Sequence, residues 1–260
     1  MDKPHPDTCA VIVDQERRKI IEIRKGVLVN QVTRDAEKIA KSFDALHGED
    51  LKRISEQFAL SYAIVVSGMI RAGQEDDDLR MACGELLSNS LNSLAAATYL
   101  LRGGYVLQPG PIIRSCLESL AVVLHLIQYQ ADLEAHRKHE FDSTRAIASA
   151  KRVFPPFGRM YGHLSREFTH IGKLYKQVTP VRDYTESSEP LELNMQFITT
   201  GVWMCYVTCE LAFLGVVKKA RYWKQLPTDE PEQVTYQYCP SDQEMEWLEG
   251  FLGIGNIQEF

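Results

Sequence analysis

The stretch FITTGVWMCYVTCELAFLGVV, residues 197–217, presents apolar groups on every side of a helical axis. A helix of that kind has no face to give to water, so neighbours or lipid must enclose it. It is long enough to cross a bilayer and runs into Lys218 and Lys219. Against a membrane span, Glu210 lies near its middle, and Thr199, Thr200, Gly201 and Thr208 interrupt it. A carboxylate at mid-membrane depth is costly unless it is protonated or paired. The stretch therefore reads as part of the central, most buried helix of a soluble protein, about 192–223, with no membrane involved.

Other helices should surround it. Periodic apolar residues predict helices at 14–25, at 32–48 with Gly48 as the stop, and at 50–71. The next is expected at about 80–102, opened by the acidic run Glu75 to Asp78 and closed by Gly103 and Gly104. Further helices are expected at 111–129, 132–153 and 157–175, with a short one near 243–251. Strands have little support, and VTYQYC (residues 234–239) is the one candidate. Long helices with short joints predict an all-α antiparallel bundle with extra N-terminal helices and a C-terminal extension. Residues 1–8, which carry Pro4 and Pro6, should be flexible. Residues 9–223 should form one helical-bundle domain with a central motif region at 95–172, and 224–260 the extension with its short helix.

Composition narrows the function. The net charge is −6 and the pI about 5.7, so a protein devoted to duplex DNA is not expected. The six cysteines, Cys9, Cys83, Cys116, Cys205, Cys209 and Cys239, form no CxxC pair or disulfide framework, which points to a reducing, cytoplasmic setting. Cys205 and Cys209 share a helix face, but no further metal ligands accompany them and core packing explains them better. The N-terminus MDKPHPDTC lacks the basic start and apolar run of a secretory leader. There is no Walker-type loop, no GxGxxG after a strand and no GxSxG elbow, so no cofactor and no metal is expected.

Two helices carry candidate chemistry. In PGPIIRSCLESLAVVLHLIQ, residues 109–128, Arg114 and Glu118 are one turn apart, and His125 points within about 20° of Arg114. In GRMYGHLSREFTHIG, residues 158–172, His163, Arg166, Glu167 and His170 form a polar stripe opposite Tyr161, Leu164, Phe168 and Ile171. Each stripe reads either as a wetted face or as the wall of a polar cleft. In the second case Arg114, Glu118 and His170 meet, with His163, Arg166 and His125 nearby, a set suited to acid–base work on an anion.

The block YLLRGGYVLQPGPIIRSCLESLAVVLHL resembles a signature of a poorly characterised bacterial helical family: a Gly-aromatic turn, a spacer, then an apolar helix with Arg-x-x-x-Glu. In that family a later helix carries an aromatic residue, Leu-Ser and a His, supplied here by Tyr161, Leu164, Ser165 and His170. The family is similar to the HEPN group of helical bundles in bacterial defence and toxin–antitoxin systems, many of them metal-independent ribonucleases. The resemblance implies an RNA-binding protein, with His170, Arg166, Arg114 and Glu118 as catalytic residues if it cleaves. It also implies His163, His125, Ser165 and Tyr161 as binding residues, and a homodimer. The alternative is a non-catalytic interaction module, an antitoxin or assembly partner for another protein, in which Arg114–Glu118 is a structural ion pair.

Overall fold

The computed structural model describes residues 5–169, 181–217, 219–226 and 235–252. Those residues are mostly helical, with two small sheets of two strands each among them. It opens with β1 (Thr8–Asp14) and β2 (Lys19–Arg24), which pair antiparallel, followed by the short α1 (Val27–Val32). The helix expected at 14–25 is thus a hairpin. Val11, Ile12, Val13, Ile20, Ile21 and Ile23 crowd it with β-branched side chains that favour strands. Asp14 closes its turn by accepting from the Arg17 N–H at 2.9 Å, and Arg18 takes φ +51°.

α2 (Arg34–Gln74) runs without a break through Gly48. A glycine inside a helix costs only about 1 kcal/mol. Phe43 and His47 before it and Ile54 after it are all buried, so packing on both sides carries the helix across. α3 (Asp78–Arg102) begins as the sequence indicates: the Asp77 side chain caps it by accepting from the Arg80 N–H at 2.9 Å. Arg102 in its last turn makes a two-bonded contact with Asp44 of α2, at 2.8 and 2.6 Å.

α4 (Pro109–Gln128) follows, with proline in its first turn. The helix expected over 132–153 is divided into α5 (Leu133–Arg137) and α6 (Ser143–Val153). His139 adopts φ +59°, and Asp142 starts α6 afresh by accepting from the Thr144 N–H at 2.8 Å. α7 (Pro155–Leu164) passes into a π-helical segment, Ser165–Thr169. The remainder of the helix expected to 175 lies outside the described residues.

α8 (Glu189–Ala212) is the most buried element, with 18 of its 24 residues inside. It packs against α2, α3 and α4, forming the bundle's centre. It ends at Ala212 rather than 223, and Glu210 is the reason. That fully buried carboxylate accepts from the backbone N–H groups of Arg221 and of Tyr222, the latter at 2.9 Å. The chain therefore turns back into β3 (Trp223–Leu226), which pairs antiparallel with β4 (Thr235–Tyr238), the strand anticipated within 234–239. α9 (Asp242–Leu252) places the Trp247 ring 5.7 Å from that of Trp203 on α8, and Leu248 is fully buried. The C-terminal segment thus packs on α8 within the same chain. The Phe251 side chain lies outside the described residues. Among those residues the one helix long and apolar enough to cross a membrane is α4, whose apolar window is 61% buried in the bundle.

Candidate functional site

At the junction of α4 and α7 the sequence-predicted pair becomes a three-part cluster. Arg114 and Glu118, a turn apart on α4, have the Nε and Oε1 atoms 3.3 Å apart. Tyr161 reaches across from α7 and bridges them. Its hydroxyl accepts from Arg114 Nη2 at 2.9 Å and Nε at 3.2 Å, and donates to Glu118 Oε1 at 3.0 Å. The guanidinium carbon also sits 5.1 Å from the Tyr161 ring centroid, close enough for a cation–π contact. Behind it the ring stacks on Phe157, with centroids 6.1 Å apart.

The cluster is half-open. The side chains of Arg114 and Glu118 keep 29% and 35% of their surface exposed. Burial pushes the Tyr161 phenol up, and Glu118 adds to the shift while Arg114 opposes it. The hydroxyl therefore stays protonated at neutral pH and can donate. Donation to the Tyr161 hydroxyl raises the Arg114 pKa further, so the guanidinium is a permanent cation. A fixed cation, a phenol and a carboxylate at a solvent margin can hold a phosphate or a hydroxyl-bearing ligand.

Beyond Tyr161 the chain keeps His163 half-buried, with its ring 5.5 Å from Phe197 and edge-on to it. Burial, aided by the Arg166 charge, lowers the His163 pKa, so its imidazole is neutral at pH 7. Ser165 is partly buried and Arg166 exposed, both within the π-helical segment. The i→i+5 pattern there turns side chains away from the α-helical wheel. Beyond Leu164, therefore, the stripe read at a constant ~100° per residue is not kept. His170 and Ile171 lie outside the described residues, so the meeting of Arg114, Glu118 and His170 is established for the first two alone.

Gly110 holds this segment against α4. A methyl group at Gly110 would lie 2.1 Å from Phe168 Cγ and 2.4 Å from its Cβ, atoms that cannot swing aside. Gly110→Ala should therefore force α4 and the π-helical segment apart, at a cost of about 2 kcal/mol. At about 2–4 °C per kcal/mol for a chain of this size, the thermal midpoint should drop by roughly 4–8 °C. A circular dichroism melt checks this, and an unchanged midpoint would show that the contact is loose.

His125 does not belong to the cluster. It shares the direction of Arg114, but eleven residues of α-helix separate the two by about 16 Å along the axis. It is fully buried, with Nδ1 2.9 Å from Ser149 Oγ and Nε2 2.8 Å from Asp132 Oδ2. Its ring lies between those of Tyr129 and Phe141, at 4.7 and 4.9 Å. Arg145 completes the chain of contacts, 3.3 Å from Asp132 Oδ2. A Ser–His–Asp series has the partners of a nucleophilic triad, but Ser149 is 2% exposed and no substrate can reach it. The series ties α4 to α6 and to the turn between them. Ser149 was missed in the sequence because it sits among AIASA with nothing to distinguish it from a helix-packing serine.

Cys205 and Cys209 have their sulfurs 3.9 Å apart in the core, and among the described residues no three metal-ligating side chains converge. A cleft of about 650 Å³ opens at the far end of the bundle, lined by Arg80, Leu124, Gln128, Leu211, Trp223 and Tyr236, among others. Among the described residues, none of those predicted from the sequence for the site lines it. No protein-family model matches the chain, and no curated protein or solved structure is significantly similar to it.

Proposed function

We propose that this chain is an RNA-binding helical bundle of the HEPN-like kind, working in the cytoplasm within a bacterial defence or toxin–antitoxin system. The observation that carries this reading is the half-open Arg114–Tyr161–Glu118 cluster, with neutral His163 and exposed Arg166 on the segment that follows Tyr161. Arg114 offers a cation to a backbone phosphate, and Tyr161 offers a hydroxyl beside it. In this proposal the protein is a metal-independent endoribonuclease and a homodimer. His170 acts as general base, and Arg166 or Arg114 offsets the charge that builds on the phosphate. Glu118 holds the guanidinium in place, and Ser165 and His163 border the bound strand.

A second reading has its own support. Glu118 and Tyr161 already engage the Arg114 donors, and the net charge is −6, which suits a non-catalytic module whose ion pair fixes the register of α4 against α7. Incubation of the purified chain with end-labelled RNA in EDTA separates the two. Cleavage that is abolished by His170→Ala and by Arg166→Ala supports the enzyme. Neither cleavage nor RNA retention supports the module and removes the first reading.

A further inference from the structure

We infer that the cleft at the far end of the bundle is a binding site for a nucleoside, an uncharged ligand with a flat heterocycle and hydrogen-bonding edges. The cleft exists because α4 and α8 stop at Gln128 and Ala212, and the hairpin β3–β4 lies against their ends. At about 650 Å³ it falls within the usual range for small-molecule sites. Gln128 is 14 residues past Arg114, or about 21 Å along α4. The site is therefore separate from the Arg114 cluster and does not depend on the RNA reading.

Three features of the lining select this ligand. The first is an aromatic wall. Register pairs Trp223 with Tyr238 and Gln225 with Tyr236, and alternate residues share a face, so Trp223 and Tyr236 project from the same side of the hairpin. Tyr236 is half-buried and offers a ring on which a flat base stacks. The second is a set of uncommitted polar groups. Among the described residues the Gln128 and Gln130 carboxamides and the Tyr236 hydroxyl have no protein partner. A carboxamide donates and accepts side by side, which is what a base edge requires. The third is charge. Among the described lining residues Asp77 and Arg80 alone are charged, and they bind each other: Asp77 Oδ2 accepts from Arg80 Nη1 at 2.8 Å. Burial, with the Asp77 charge, pushes the Cys83 thiol up to about 12, so it is a neutral wall group. Glu75, Asp76 and Asp78 flank Asp77 in the chain, so a polyphosphate would meet excess negative charge, and the nucleoside is preferred to its triphosphate.

Isothermal titration calorimetry of the full chain with adenosine, guanosine, cytidine and uridine tests this. At least one should give saturable heat with a dissociation constant below about 1 mM, and its triphosphate should bind about tenfold more weakly. Gln128→Leu, at an exposed position, should weaken nucleoside binding about tenfold with the helical melt unchanged, and Tyr236→Ala should weaken it similarly. Arg114→Ala should leave nucleoside binding as it was, and Gln128→Leu should leave RNA retention as it was, so failure of one proposal is read separately from failure of the other. No saturable heat with any of the four, or a triphosphate bound as tightly as its nucleoside, would overturn the assignment. So would affinity unaffected by both cleft substitutions, or nucleoside binding lost in Arg114→Ala.

Discussion

Glu210→Ala should be among the most damaging single substitutions, lowering the thermal midpoint by about 6–20 °C. The carboxylate is fully buried and accepts two backbone N–H groups, from Arg221 and Tyr222. Truncation leaves both donors without their acceptor, that of Tyr222 in the interior, and opens a cavity near the end of α8. Together these cost about 3–5 kcal/mol, at about 2–4 °C per kcal/mol. The damage should spread along the return chain. The Tyr222 hydroxyl accepts from Trp203 Nε1 at 3.1 Å and donates to Glu244, and Trp223 Nε1 donates to the Val207 carbonyl at 2.8 Å. Near-ultraviolet circular dichroism of the tryptophans should therefore weaken at temperatures where the far-ultraviolet helical signal is still full. A midpoint within a degree or two of wild type would show that the return chain is held by other contacts.

His125→Ala should cost about 3 kcal/mol, or roughly 6–12 °C. Ser149 loses its partner in the interior, Asp132 loses one of its two, and the space between Tyr129 and Phe141 empties. Because this series lies about 16 Å along α4 from Arg114, RNA retention by the folded fraction should not change. A variant with normal stability and lost RNA binding would return His125 to the binding site.

The parts of the fold that were legible in the sequence are those set by periodicity within one element. α3, α4 and α9 lie where the apolar spacing and the caps put them, and Arg114 and Glu118 pair because four residues on a helix fix that contact. Distance along the axis is equally fixed, but direction alone was read for His125, which placed it in the wrong cluster. The hairpin was legible in principle, since AVIV and IIEI are richer in β-branched residues than a helix favours. Gly48 shows the opposite limit: a local stop signal loses to packing on both sides of it. The ends of elements set by tertiary partners were not legible. Nothing near Ala212 announces the end of α8, because the capture of Arg221 and Tyr222 by Glu210 exists only once the chain has turned. The part played by Tyr161 was hidden similarly. It stood among apolar residues on its helix, and only the approach of α7 to α4 brings its hydroxyl between Arg114 and Glu118.

The cluster's role as an RNA contact is tested most directly by filter retention of labelled single-stranded RNA on wild type and Arg114→Ala, each paired with its melt. Arg114 is partly exposed, so its loss should lower the midpoint by only a few degrees. RNA affinity should fall by about tenfold or more, the equivalent of ~1.4 kcal/mol. Arg114→Lys should recover part of the affinity, because it restores the charge but not the paired donors. A lowered midpoint with unchanged RNA retention, or no retention by the wild type, would contradict the proposal and leave Arg114–Tyr161–Glu118 as a clamp between two helices.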